Sequence, residues 1–357
     1  MGALGVEGMD GRGAGAQGTV DETAGAGSGK LILFGEHAAV FGFPAVGVPL
    51  PERTRVIFHG PPLRFWDFAG IPYEDQGIMR HLLDRLDVLL PKLSAFGRRA
   101  VRIESVVARG VGFGSSAALC TATAAAAIEL VRGVTPSVPS HAWQLAHELE
   151  RIFHGTPSGI DTGLSFLPGV TAFSPRPPEL PAWERLECTP LWLVVGALPR
   201  SASSGALIRG IGERMRIGDP AVRNALSTLG AIAAQAKKTL GAKAALRVKP
   251  ALGIQAACQT ESMAAEIGKL ADEAMRILGG LGVSDPSLDL LLEEGGRSGA
   301  VGGKLSGAGG GGAFFLVCGG AQIAEETTRT LAHIALRRNI SFAATPRVLR
   351  VGGETGI

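Results

Sequence analysis

Residues 108–118 read Ala-Arg-Gly-Val-Gly-Phe-Gly-Ser-Ser-Ala-Ala and run straight into an alanine-rich stretch that ends near Val131. Leu119 to Leu130 is almost entirely small, strong helix formers. Gly110, Gly112 and Gly114 stand at alternate positions just before it, and Ser115 and Ser116 fall in its expected first turn. A glycine loop entering a helix leaves several backbone N–H groups without intrahelical partners. Together with the helix dipole they form an anion site. Glycine also lets the backbone approach a phosphate closely and adopt positive φ. A serine hydroxyl at such a helix start can reach a magnesium ion held by the same phosphates. The pattern equally fits a glycine-rich turn capped by Ser115 ahead of a buried helix. It is not a Walker A loop, which needs Lys and then Ser or Thr after the last glycine. The Gly-Ser-Gly-Lys ending at Lys30 is followed by Leu31 and fails the same requirement. A nucleotide bound here therefore uses another glycine-loop design.

A chain of 357 residues, 46% of them hydrophobic, can bury two cores. Its net charge of +3 gives no electrostatic footprint for nucleic acid or an acidic membrane. Cys120, Cys188, Cys258 and Cys318 are scattered, with no CxxC, and read as reduced core thiols of a cytoplasmic protein. Residues 1–27 are rich in Gly and Ala, lack the features of a signal peptide, and are expected to form a disordered tail. No window is apolar enough for a membrane span.

In chain order, Lys30–Phe34 reads as a short strand followed by Gly35-Glu36-His37, and Arg53–His59 as another strand. Met79–Leu93 has helical spacing, and Val101–Val107 alternates like a strand leading into the glycine loop. Pro136–Pro139 reads as a loop and Ser140 as the N-cap of a helix over His141–Phe153. On that helix Glu150 lies one turn before the run His154-Gly155-Thr156-Pro157-Ser158-Gly159-Ile160-Asp161, where Ser158 is placed to cap a short helix. Asp161 alone fits either a helix N-terminal charge or a base. Pro175–Pro190 suggests a domain connection. Leu191–Ala197 and Ala313–Cys318 read as buried strands and Pro346–Val351 as a last strand, with helices over Ala221–Leu240, Ala251–Leu278, Pro286–Glu294 and Ala321–Arg337. Four consecutive glycines, Gly309–Gly312, imply that something approaches the backbone closely.

Taken together, these segments resemble the GHMP kinases, a superfamily of small-molecule kinases. The first motif is similar to Gly29–Ala45, the second to Gly110–Ala118 and the third to Lys304–Gly312. His154–Asp161, with Glu150 at the family's spacing, resembles the mevalonate kinase branch. Ser28 and Ala108 stand where the family usually has Pro, and Phe113 where it usually has Leu; none of these removes a chemical group. Pro199-Arg200-Ser201 resembles the family's Ser/Thr-rich substrate segment, with Ser203-Ser204-Gly205 read as an insertion.

The resemblance implies a two-domain α+β GHMP kinase fold. A ribosomal-protein/elongation-factor-like domain over residues 28–180 would precede a ferredoxin-like domain over 190–357. It implies ATP-dependent phosphorylation of the C5 hydroxyl of mevalonate, with Mg²⁺ as cofactor, in a homodimer. Gly110, Val111, Gly112, Phe113, Gly114, Ser115 and Ser116 would bind ATP, and Ser116 and Glu150 the metal. Asp161 and Lys30 would be catalytic. Lys30, Glu36, His37, Ser158, Asp161 and Ala308 would border the alcohol substrate.

Overall fold

The computed structural model describes residues 22–132, 140–176, 179–201, 204–245 and 254–353. Its first sheet holds five antiparallel strands: β1 (Glu22–Phe34), β2 (Ala45–Leu63), β3 (Arg98–Ser105), β4 (Thr171–Arg176) and β5 (Glu179–Arg185). The long strand β2 is the spine. One edge carries β1 from Glu22↔His59 to Phe34↔Val46, while the other carries β4 at Ala45–Gly47 and β3 at Thr54–His59. Pro49 and Pro51 lie between those two neighbours, where the second edge has no partner strand and a missing N–H costs no ladder bond.

Helix α2 (Ser115–Arg132) crosses β1 almost backbone to backbone. A Cβ on Gly25 would come 2.0 Å from the Ala122 carbonyl oxygen, and one on Gly27 would come 2.3 Å from that of Ala118. This corrects the expected tail. Residues 22–27 are the first half of β1, and their Gly/Ala composition is what so close a helix requires; residues 1–21 lie outside the described residues. Helices α1 (Tyr73–Leu89) and α3 (Ser140–His154) complete this layer, with Met79, Leu82, Leu83 and Leu86 packed among Leu145, Ala146 and Leu149. Helix α1 stops before Leu93 because Pro91 disfavours helical backbone at Leu90, and residues 91–96 form a 3₁₀ turn. The expected loop at Pro136–Pro139 and the side chain of Ser140 lie outside the described residues.

The second sheet runs β7-β8-β6-β9, from β6 (Leu191–Leu198), β7 (Gly302–Leu305), β8 (Gly312–Cys318) and β9 (Ala344–Val351). Helices α5 (Ser204–Arg216), α6 (Pro220–Ala245), α7 (Ile254–Gly280) and α8 (Pro286–Arg297) separate β6 from β7, and α9 (Ala321–Arg338) separates β8 from β9. Strand β8 thus inserts between β6 and β7, the split βαβ pattern of a ferredoxin-like domain. β6 and β8 are buried along almost their whole length, which explains their unbroken apolar sequences. One continuous core links Leu31, Leu33 and Phe34 of β1 to Val194 and Phe314 of the second sheet. Cys120, Cys188 and Cys318 are buried within the protein, while the side chain of Cys258 lies outside the described residues. Among the described residues no helix is long and apolar enough to cross a membrane.

One further expectation needs correction. The stretch beginning at Pro175 is not a connection but the β4–β5 hairpin, with Phe173 opposite Trp183, so the first sheet extends past residue 180 to Arg185. Pro181 is accommodated because β5 is an edge strand. Ser204 and Gly205 open α5. The Gly302-Gly303 pair lies inside β7, where a Cβ on Gly302 would come 2.1 Å from the Gly268 carbonyl oxygen of α7.

Candidate active site

The glycine loop is anchored by its non-glycine residues. Val111 and Phe113 are buried in the core, whereas Gly110, Gly112 and Gly114 are exposed or half-buried, with φ of 74°, 99° and 74°. Only glycine adopts this backbone at three alternate positions without strain. Val111 and Phe113 can therefore offer a ligand their backbone but not their side chains. The Lys30 amide donates to the Phe113 carbonyl at 2.8 Å, tying the loop to β1. Ser115 and Ser116 open α2, and the Ser116 hydroxyl lies 3.3 Å from His154 Nε2.

Lys30 Nζ stands 3.0 Å from Asp161 Oδ2, with the lysine buried and the aspartate partly open to solvent. Asp161 lies in the first turn of α4 (Ile160–Phe166). The turn before α4 is held by Trp143 of α3, whose indole N–H donates to the Gly159 carbonyl at 3.0 Å. Gly159, at φ 79°, is the N-cap. The Ser158 hydroxyl accepts from the amide of Ile160, the first residue of α4, at 3.4 Å, as expected of a residue placed to cap that helix.

Glu150 of α3 is 1% exposed, and neither carboxylate oxygen has a hydrogen-bond partner. The nearby Thr162 hydroxyl donates to the Gly159 carbonyl instead. Burial, and then the charge of Asp161, push the Glu150 carboxyl up to about 8, against the pull of Lys30. A buried, unpartnered carboxylate beside a glycine loop fits an oxygen-seeking divalent cation. Mg²⁺ takes few protein ligands and the rest from phosphate and water.

The Gly35-Glu36-His37 turn follows β1 and is bonded to Lys304 of β7 and to Ala308 just beyond it. His37 has φ 58° and is buried, and its Nε2 donates to the Ala308 carbonyl at 3.2 Å. Burial lowers its imidazole to about 4. Glu36 does not open into the cleft: its carboxylate is 1% exposed and bonds the ammonium of Lys304. The third glycine segment is closely approached, as expected. What approaches Gly309 and Gly311 is the protein itself, since added Cβ atoms would lie 2.1 Å from the Val283 carbonyl oxygen and 2.3 Å from that of Pro199.

Arg200 and Lys304 are the residues that the sequence did not single out. A Cβ on Gly112 would lie 2.8 Å from the Arg200 Nη2, and one on Gly312 would lie 2.7 Å from its Nε, so this guanidinium lies between the first and third glycine loops. Burial lowers its pKa and the charge of Asp161 opposes that shift. Its signal was the Pro-Arg-Ser that follows β6. Lys304 had no signal beyond its place at the start of the third motif.

Comparison with known proteins agrees with this architecture. The model for the GHMP kinases N terminal domain matches residues 77–169, and that for the GHMP kinases C terminal matches 256–333. The chain belongs to the GHMP kinases. It is 26% identical over 351 residues to a mevalonate kinase of Pyrococcus abyssi, covering 91% of this chain and 94% of the relative. Its fold is similar to that of L. major mevalonate kinase in complex with R-mevalonate, with a TM-score of 0.72 and 20% identity over 94% of this chain and 98% of the other. It is also similar to that of Streptococcus pneumoniae phosphomevalonate kinase, at 0.66 and 16% over 92% and 99%.

Proposed function

We propose that this GHMP kinase transfers the γ-phosphoryl group of ATP to the C5 hydroxyl of mevalonate, giving 5-phosphomevalonate and ADP for isoprenoid precursor synthesis. The observation that carries the reading is the Lys30–Asp161 pair at the foot of the glycine loop, in a chain whose relatives named mevalonate kinase match it along most of its length. Phosphoryl transfer needs mainly positioning and charge neutralisation. The backbone N–H groups of Gly110–Ser115 cradle the ATP phosphates at the start of α2. Ser116 and Glu150 are the groups that would hold Mg²⁺, which supplies charge neutralisation between the phosphates when bound. Asp161 accepts the hydroxyl proton, and Lys30 holds Asp161 in place and favours the developing alkoxide. Arg200 adds positive charge between the glycine loops. His37, Ser158 and Ala308 border mevalonate, with Glu36 behind them.

The same resemblance supports a cytoplasmic homodimer, which light scattering of the purified protein checks. The activity is tested by ADP release with Mg-ATP and a panel of mevalonate, phosphomevalonate, homoserine and galactose. Turnover with mevalonate alone is the expected result. Turnover with a different member of the panel would reassign the substrate pocket, and ATP binding without turnover on any of them would sink the kinase reading.

A further inference from the structure

Lys304 is 0% exposed and lies on β7, in the second domain. Its ammonium meets three acceptors: the Glu36 carboxylate, the Leu33 carbonyl at 3.2 Å and the Leu305 carbonyl at 2.7 Å. An ammonium has three N–H donors, so this cage uses all of them. The Phe34 and Phe315 rings flank it, with centroids at 5.8 and 5.4 Å. Two of the three acceptors, and one ring, belong to β1 or the turn after it. The cation therefore fastens the end of β1 to the second domain.

What it fastens is a turn under conformational constraint. Gly35 has φ 99°, and His37, at 58°, is one of only two non-glycine residues with positive φ among the described residues. His37 is held from the other side by Ala308, again in the second domain. The turn is thus pinned at Glu36 by Lys304 and at His37 by Ala308. A buried ion pair is seldom the cheapest way to stabilise a junction, since apolar residues of similar volume often do as well or better. One that fixes the position of a strained turn has a different use.

We infer that Lys304 is a positioning residue for the alcohol substrate: through Glu36 it sets the place of His37, the residue assigned above to the border of mevalonate. The inference rests on the functional reading above. Among the described residues the hydrogen bonds, ion pair and ring contacts of Lys304 go to Leu33, Phe34, Glu36, Leu305 and Phe315, not to the phosphate loop 110–116, so its loss acts on one substrate and not on the other.

The test is Lys304→Met combined with Glu36→Gln, which leaves no uncompensated buried charge. Thermal unfolding and steady-state KM for both substrates are measured against wild type and against Glu36→Gln alone. We expect a folded double variant whose mevalonate KM rises about tenfold or more, the scale of one lost charged hydrogen-bond contact. Its ATP KM stays within about twofold, less than the energy of one ordinary hydrogen bond. Glu36→Gln alone, with Lys304 still bound to both carbonyls, shows a smaller rise. Unchanged KM for both substrates in a folded variant makes the pair a stability element only and overturns the inference; so does an equal rise in both. Should the double variant not fold, Lys304→Arg decides by the same split, since a planar guanidinium keeps the charge but cannot meet three acceptors arranged for an ammonium. Wild-type turnover on mevalonate is the separate control for the reading beneath it.

Discussion

The side chain of Lys30 lies along the backbone of Gly114: a Cβ added there would come 2.5 Å from the lysine Cγ and 3.0 Å from its Cε. The phosphate loop and the proposed catalytic cation therefore share one contact surface. Gly114 also has φ 74°, so any side chain there is strained as well as crowded. Gly114→Ala should displace Lys30 from Asp161 and lower kcat by about 10²-fold, the size expected when an acid/base group is lost. Steady-state kinetics on the folded variant checks this, and near-normal turnover would detach the loop from the role given to Lys30.

Asp161→Asn keeps the shape of the pair and removes the base. Because Asp161 is outside the glycine loop, the variant should bind ATP normally, yet turn over about 10²-fold or more slowly. Nucleotide titration beside a kcat measurement separates the two. Weakened ATP binding with unchanged kcat would place Asp161 among the nucleotide contacts.

Glu150 sets stability against function. Its folded-state carboxyl is raised from 4.5 to about 8, so the folded chain holds a proton that the unfolded chain has already lost across that window. Stability is then full at low pH and declines as pH rises towards 8. Glu150→Gln should raise the thermal midpoint of the metal-free protein at pH 8 and flatten its dependence between pH 5 and 8. The same variant should need roughly tenfold or more Mg²⁺ for half-maximal turnover, the order of loss when a support of a metal site is removed. A variant that gains no stability at pH 8 would show that the carboxylate has a partner in solution.

His37 acts in the opposite direction on pH. Its imidazole is lowered from 6.5 to about 4, first by burial, against the hydrogen bond to Ala308 and with the charge of Lys304 adding to the burial. Below pH 6.5 the unfolded chain takes up a proton that the folded chain refuses. Stability from this group is thus complete above 6.5 and is lost as pH falls towards 4. Asn tolerates left-handed backbone, so His37→Asn should fold and show a shallower loss of stability between pH 6.5 and 4. Parallel acid-unfolding curves for both proteins would assign that slope elsewhere.

Gly25 tests the approach of β1 to α2. A Cβ there would lie 2.0 Å from the Ala122 carbonyl oxygen, which is backbone and cannot move aside as a side chain could. Gly25→Ala should cost about 1–3 kcal/mol, the usual range for overpacking, with catalysis little changed. Denaturant unfolding measures it, and an unaltered midpoint would mean that the strand end is not docked.

The elements that carry the chemistry were legible because their signals are local. Glycine before an alanine-rich helix marks the phosphate loop, and Asp161 follows a dense run of turn residues. What could not be read was tertiary. Gly25 and Gly27 look like low-complexity sequence, because the reason for them is a helix nearly a hundred residues away. Pro181 looks like a breaker, because nothing local says that β5 is an edge. Lys304 stands only as the first residue of the third motif, since its burial depends on the carbonyls of Leu33 and Leu305 and on the Glu36 carboxylate. Glu36 was read as a pocket wall for the same reason: its partner is 268 positions away.

Ser306 gives the junction of the two domains its form. Its hydroxyl accepts from the Ile32 amide at 3.0 Å and donates to the Ile32 carbonyl at 2.8 Å, replacing at one point the neighbouring strand that β1 would otherwise need. A gene split between β5 and β6 would hand one product an open backbone edge and a stranded glutamate, and the other an orphaned ammonium. Each half of this chain completes the other's unpaired backbone and buried charge.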